Sequence, residues 1–240
     1  MMVKFNTDFE FFWGLIDRGE NFTFSRYADG EVMLMKGVPV TEGTQAFVID
    51  KWKAPNMLTK VGRELLETLN HTESNYYYAI SSKTDNINDY HFLLENIKQT
   101  SDKLTFVNLW INANYLNMKR KLCSNKREVI LICNEKAKKE NFSFNIKDIT
   151  PFPNDCINFW ETNGDSYISE LIERYGKMKN QLFYISCGPV SEIIIHNLYK
   201  ANPNNTYIDV GSSIDEFVHG EITRPYMNPS SIYSKMVSSF

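Results

Sequence analysis

Three observations predict an α/β domain built on a Rossmann-like, mostly parallel sheet with helices on both faces. Short apolar runs alternate with helix-spaced patterns along the whole 240-residue chain. Two of the runs, Glu128 to Cys133 (EVILIC) and Leu182 to Cys187 (LFYISC), are almost continuously apolar, as strands buried on both faces are. Most runs end in polar turns that lead into a helical pattern, which is the mark of βα units.

The elements follow in order. Apolar residues at 9, 11, 12, 13, 15 and 16 predict an amphipathic helix from Asp8 to Arg18, with Thr7 or Asp8 as its cap. Phe22 to Ser25 reads as a strand, Glu31 to Lys36 as a short helix, and Gly37 to Gly43, with Pro39, as a loop. Pro55 suits a first helical residue, and Met57, Val61, Leu65, Leu66 and Leu69 carry that helix to about Asn70. Tyr76 to Ile80 is a strand, Asn88 to Gln99 a helix, Leu104 to Val107 a strand and Leu109 to Leu122 helical. After the strand at Glu128 to Cys133 come a short helix (Lys136 to Asn141) and a strand (Phe144 to Ile149). Pro151 and Pro153 then enforce an extended connection. Tyr167 to Lys179 and Val190 to Lys200 are helices on either side of the strand at Leu182 to Cys187, and Thr206 to Val210 is the last strand. The segment from Glu221 has no period and is expected to wrap the surface. A single domain over 1–240 is expected, with its core over about 22–226 and a surface tail over 227–240.

In such sheets ligands gather beyond the carboxyl ends of the strands. That rule brings together Arg26 to Glu31, Ser81 to Asp85, Asn108 to Asn114, Asn134-Glu135, Gly188 to Ser191 and Gly211 to Glu216.

Composition narrows the function. A net charge of −3 gives no general attraction to nucleic acid, and the basic runs Lys119 to Lys121 and Lys136 to Lys139 read as solvated helix faces. The first residues lack the basic, apolar and small-residue regions of a signal peptide. No apolar run approaches the ~18–20 residues of a membrane span. Cys123, Cys133, Cys156 and Cys187 show no metal-binding spacing, so a reducing cytoplasm is expected.

Four constellations carry candidate chemistry. Asp29-Gly30-Glu31 sets two carboxylates at a strand–helix junction, a seat for a hard divalent cation completed by a diphosphate; the same residues also suit a turn and a helix start. Ser186-Cys187-Gly188-Pro189-Val190-Ser191 ends a buried strand and opens a helix whose N–H groups could hold an anion, with the Ser191 hydroxyl beside them. Asp209 ends an apolar strand, where a carboxylate is costly without a partner or a task, and Asp215-Glu216 follow closely. Asn112 and Asn114, among Trp110 and Tyr115, offer the amides and rings that hold sugars, or else cap a turn. The four histidines are dispersed, and no GxSxG motif supports serine-nucleophile chemistry.

With those segments assembled, the chain resembles the GT-D-type glycosyltransferases, formerly a domain of unknown function. Ser25-Arg26-Tyr27-Ala28-Asp29-Gly30-Glu31 is close to the group's Arg-aromatic-Gly-Asp-Gly-Glu signature, with Ala28 where glycine is frequent. Ile185 to Pro189 and Tyr207-Ile-Asp209-Val-Gly211, followed by Asp215-Glu216-Phe217, are similar to two further segments. The resemblance implies transfer of a sugar from a nucleotide donor, expected to be UDP-linked, to a glycan, glycoprotein or lipid-linked acceptor. It implies that Asp29 and Glu31 serve Mn²⁺ or Mg²⁺ and the diphosphate, with Gly188, Pro189 and Asp209 lining the same cleft. Arg26 and the helix start at Gly188 would stabilise the leaving diphosphate. Asp209, Asp215 or Glu216 would act as the base toward the acceptor hydroxyl. Another Rossmann-like transferase, such as a methyltransferase, and a non-catalytic nucleotide- or glycan-binding domain remain as alternatives.

Overall fold

A computed structural model describes residues 2–38 and 58–239. Helix α1 (Met2–Arg18) precedes β1 (Thr23–Tyr27), α2 (Asp29–Met35), α3 (Lys60–Thr68), β2 (Tyr76–Ile80), α4 (Ile87–Asn96) and β3 (Leu104–Phe106). The second half runs α5 (Tyr115–Ser124), β4 (Val129–Asn134), β5 (Ile146–Phe152), α6 (Cys156–Tyr175), β6 (Leu182–Ser186), α7 (Ser191–Ala201), β7 (Thr206–Asp209) and α8 (Asp215–His219). Among the described residues, seven strands form one sheet in the order β3-β2-β1-β7-β6-β4-β5, and every pairing is parallel.

Strand alternation divides the core into two layers. Ile130, Ile132, Phe183 and Ile185 pack on one face with α2, α3, α4, α6 and α7, through residues such as Val32, Leu65, Leu93, Trp160 and Ile194. Leu131, Cys133, Leu182 and Tyr184 pack on the other with α1, α5 and α8. Each fully buried aliphatic side chain contributes roughly 1.5–3 kcal/mol, so the near-continuous apolar run of β4 is explained by burial on both sides. Aromatic residues of α1 anchor the second layer: Phe12 meets Phe24 edge-on at 4.9 Å, and Phe24 lies 4.7 Å from Trp110.

Several boundaries differ from those expected, each for a visible reason. β5 runs through Pro151, which is tolerated because β5 is the sheet edge and pairs only with β4. Helix α6 starts eleven residues before Tyr167; its polar stretch with Gly164 hides the helical period, and the Trp160 ring covers Gly164 so closely that a Cβ there would lie 2.8 Å from it. The expected helix from Leu109 begins only at Tyr115, after a 3-10 turn over Asn112–Asn114. The loop expected from Gly37 to Gly43 and the helix start at Pro55 fall largely outside the described residues. The segment from Glu221 is more than a wrap: Tyr226 and Met227 are buried against Tyr115, and Ser238 is buried where it donates to Asp85 Oδ1. Among the described residues, no helix is long and apolar enough to cross a membrane.

Candidate functional site

The chain leaves β1 toward β2 and β3 on one side and completes β4 to β7 on the other, so the topological switch lies between β1 and β7. Ligand crevices in doubly wound sheets open at such a point. A cavity of about 400 Å³ sits there, floored by the carboxyl ends of β1, β7, β6, β4 and β5. The ends of β2 and β3 lie outside it and are strapped by the C-terminal segment, where the Asn108 amide and Ser238 hydroxyl both donate to Asp85 Oδ1.

Arg26 and Asp209 face each other across the switch. Arg26 Nη1 lies 3.7 Å from Asp209 Oδ2, and Arg26 Nε donates to the Val107 carbonyl at 2.9 Å. Asp209 Oδ1 accepts from the Gly211 N–H at 2.7 Å. Gly211 has φ +48, and a Cβ on it would overlap the Arg26 guanidinium. Glycine is therefore required here twice, by the left-handed backbone and by the arginine that crosses it. Burial raises the Asp209 carboxyl from its ordinary value, against the opposing pull of Arg26.

Asp29 and Glu31 diverge. Both lie in the first turn of α2, but Asp29 is exposed and Glu31 is buried and lines the cavity. Glu31 Oε2 accepts the Ala28 N–H at 2.8 Å and so caps its own helix. Burial pushes the Glu31 carboxyl up to about 7; the Ala28 N–H and Arg26 oppose the shift and Asp209 reinforces it. Ala28 has φ −105, an extended backbone that alanine adopts freely, so the missing glycine leaves the loop unstrained. Gly30 is buried within α2 and is not among the cavity-lining residues.

Gly188 and Pro189 line the cavity, and Gly188 takes φ +59 to turn the chain from β6 into α7. Ser191 lines it too, but its Oγ accepts the Cys187 N–H at 2.8 Å and so closes that turn. Ser186 donates to the Gly211 carbonyl at 3.0 Å, tying the β6 and β7 turns together.

The three candidate bases separate. Asp209 and Asp215 line the cavity; Glu216 does not. Glu216 faces α5, accepting from Tyr115 and Lys119 at 2.7 Å each. Burial pushes its carboxyl up, but those two bonds outweigh burial and leave it lowered. Asp215 Oδ2 accepts from Thr223 at 3.2 Å and Arg224 Nε at 3.3 Å, and burial raises its carboxyl.

Asn112 and Asn114 are not brought to the cavity. Asn112 holds the left-handed backbone of the turn at φ 53, and Asn114 Nδ2 donates to the Leu109 carbonyl at 3.1 Å. Both serve the turn that precedes α5 rather than a sugar site, though neither side chain makes a helix-cap hydrogen bond.

Sequence reasoning missed Arg224, Thr223 and Glu192. Arg224 and Thr223 come from the aperiodic segment after α8 and close the cavity wall beside Asp215. Glu192 is fully buried on α7, adjoining Asp209. Its signal was available: a glutamate directly before Ile193-Ile194-Ile195 is a charge where the helix face is apolar.

Two arginines and several carboxylates line the switch point of an all-parallel sheet, which defines a class, a Rossmann-like domain with a charged cavity at its strand ends. No protein-family model and no curated protein matches the chain. Two solved structures do. One is a selenomethionine-substituted domain of unknown function 1792, with TM-score 0.51 and 13% identity over 87% of this chain and 79% of the other. The other is described as the highly conserved domain of unknown function 1792 with a distinct glycosyltransferase fold, with TM-score 0.55 and 12% identity over 95% and 88%. The chain shares that glycosyltransferase fold.

Proposed function

We propose that the protein is a glycosyltransferase that moves a sugar from a nucleoside diphosphate donor, UDP-linked by preference, to the hydroxyl of a glycan, glycoprotein or lipid-linked acceptor. The observation that carries this reading is the cavity at the β1/β7 switch, with Arg26 at its floor, in a chain with the glycosyltransferase fold.

Arg26 would take the diphosphate, held in place by Val107 and Asp209 and given room by Gly211. The turn at Gly188 and the start of α7 would lie along the same phosphates. Asp215 is our choice of base. It lines the cavity with its side chain 16% exposed, against 8% for Asp209. Burial raises the Asp215 carboxyl above the ordinary aspartate range, which makes it a stronger base than a free aspartate.

A divalent cation such as Mn²⁺ or Mg²⁺ would be held through Glu31 and Asp29 alone, since no group of three or more His, Cys, Asp or Glu among the described residues could hold one, and the diphosphate and water would complete its shell. Glu31 and Asp29 are hard oxygen ligands in one helical turn, and Glu31 lies where Asp209 adds negative charge that a cation would relieve. Bound there, the cation supplies charge neutralisation of the departing diphosphate. Four unpaired cysteines accord with a cytoplasmic setting.

The test is a thermal-shift panel of nucleoside diphosphates with and without Mn²⁺, followed by UDP-sugar hydrolysis in wild type and Asp29→Asn. Stabilisation by UDP and cation-dependent hydrolysis are expected. Full activity in Asp29→Asn would sink the cation role, and stabilisation by S-adenosylmethionine instead of any nucleotide would replace the transferase class.

A further inference from the structure

Glu192 is the one described glutamate with no exposed surface, and neither a helix cap nor an ion pair explains it. It sits in the first turn of α7. Its Oε1 accepts the backbone N–H of Arg26 at 3.3 Å. Its Oε2 has no donor at all. Its carboxyl is nonetheless within hydrogen-bonding reach of Asp209. Two carboxylates in contact, both ionised and out of water, would repel strongly, so one of them carries a proton.

The donors decide which. Asp209 receives the Gly211 N–H on Oδ1 and faces Arg26 on Oδ2, so both of its oxygens sit against positive character. Glu192 has an oxygen with no donor. Among the described residues, the groups that act on Glu192 most strongly are acidic: Asp209 on β7 and Glu31 on α2 disfavour its anion, and the phenols Tyr27 on β1 and Tyr76 on β2 lie near it. Burial, then Asp209 and Glu31, push its carboxyl well above the ordinary range.

We propose that Glu192 is a neutral carboxylic acid and the positioning residue of the site, donating its proton to Asp209 while accepting the Arg26 N–H. It thereby fixes both partners of the ion pair that spans the β1/β7 switch, one from the backbone and one from the side chain. The pair then carries a single negative charge opposite Arg26, and the guanidinium stays aimed at the cavity. Its role in donor binding rests on the glycosyltransferase reading above; its protonation does not.

The experiment uses the full chain with ¹³C-labelled glutamate side chains. At about pH 8.5, above the Glu31 value of about 7, one carboxyl carbon should remain at its protonated position and disappear in Glu192→Gln. Glutamine keeps a donor and an acceptor without charge, so Glu192→Gln should bind UDP within about twofold of wild type. Glu192→Ala, which leaves Asp209 short of a donor, should bind roughly tenfold more weakly or worse. A wild-type spectrum with every glutamate ionised overturns the proposal, and needs no variant to fold. So does Glu192→Gln binding as weakly as Glu192→Ala, or markedly tighter than wild type, the mark of a lost anion. If no nucleoside diphosphate binds wild type, the donor reading falls while the spectrum still decides Glu192.

Discussion

Replacing Gly211 by alanine tests whether Arg26 is the diphosphate-holding group. The methyl meets two obstacles. At φ +48 the backbone is left-handed, which costs a residue with a Cβ about 1–2 kcal/mol. The new Cβ would also stand 2.7 Å from Arg26 Cζ, with the nearer Nη1 overlapped, so the guanidinium must leave. Leaving breaks its 2.9 Å bond to Val107 and separates it from Asp209. A hydrogen bond to a charged group is worth about 1.5–3 kcal/mol, which brings the total to about 4 kcal/mol. For a chain of this size that lowers Tm by roughly 8–16 °C. The same displacement removes a charge-assisted contact to the diphosphate, so UDP should bind about 10- to 100-fold more weakly. Calorimetric titration of UDP with Gly211→Ala, Arg26→Ala and the double variant reads both effects. If the methyl acts through Arg26, the double variant binds no worse than Arg26→Ala alone. Unchanged UDP affinity in folded Gly211→Ala, or fully additive losses, would refute the reasoning.

Three further outcomes are expected. Asp215→Asn should lower kcat at least about 100-fold with little change in stability, whereas Glu216→Ala, outside the cavity and paired with partly exposed Lys119, should leave kcat within about threefold and cost at most about 1 kcal/mol in urea unfolding. Asn112→Ala should destabilise by about 1 kcal/mol and Asn112→Gly hardly at all, since the side chain serves a left-handed turn; UDP affinity should be the same in both. On the far side of the sheet's first layer, His196 packs its Nδ1 2.8 Å from His71 Nε2, and burial, then His71 and Lys200, hold its pKa down to about 4 from the ordinary 6.5. A depressed histidine gives stability that is present above 6.5 and lost as pH falls toward 4. Between about pH 7.5 and 5 the loss should be about 2 kcal/mol, and His196→Gln should flatten that slope.

What the sequence made legible depended on whether local pattern and tertiary role coincide. β4 and β6 announce themselves because burial on two faces demands apolar residues at every position, and the strand-end rule then places Arg26, Gly188 and Asp209 together without any contact being known. Asn112 and Asn114 follow the same rule and fail it. They stand after β3, on the side of the switch where the C-terminal segment covers the strand ends, and strand order cannot be read from periodicity. Glu216 fails for a finer reason: it neighbours Asp215, yet adjacent helical positions point about 100° apart, so one carboxylate enters the cavity and the other meets Lys119. The same arithmetic separates Asp29 from Glu31.

That separation bears on what the acidic pair can do. A motif read as two equivalent ligands is, in the fold, one exposed carboxylate and one whose Oε2 already caps its helix. Glu31 therefore has one oxygen left for the cavity, and its position is fixed by the Ala28 N–H rather than by any ligand. Asp29, exposed and without that helix-capping bond, is the residue whose orientation a ligand would set under the proposed function. Loss of Asp29 should then act mainly on affinity, while loss of Glu31 should loosen the start of α2 together with the Arg26 to Ala28 turn that faces Asp209. The helix cap and the proposed cation ligand are one side chain, which ties the geometry of the cavity to the folding of the first turn of α2.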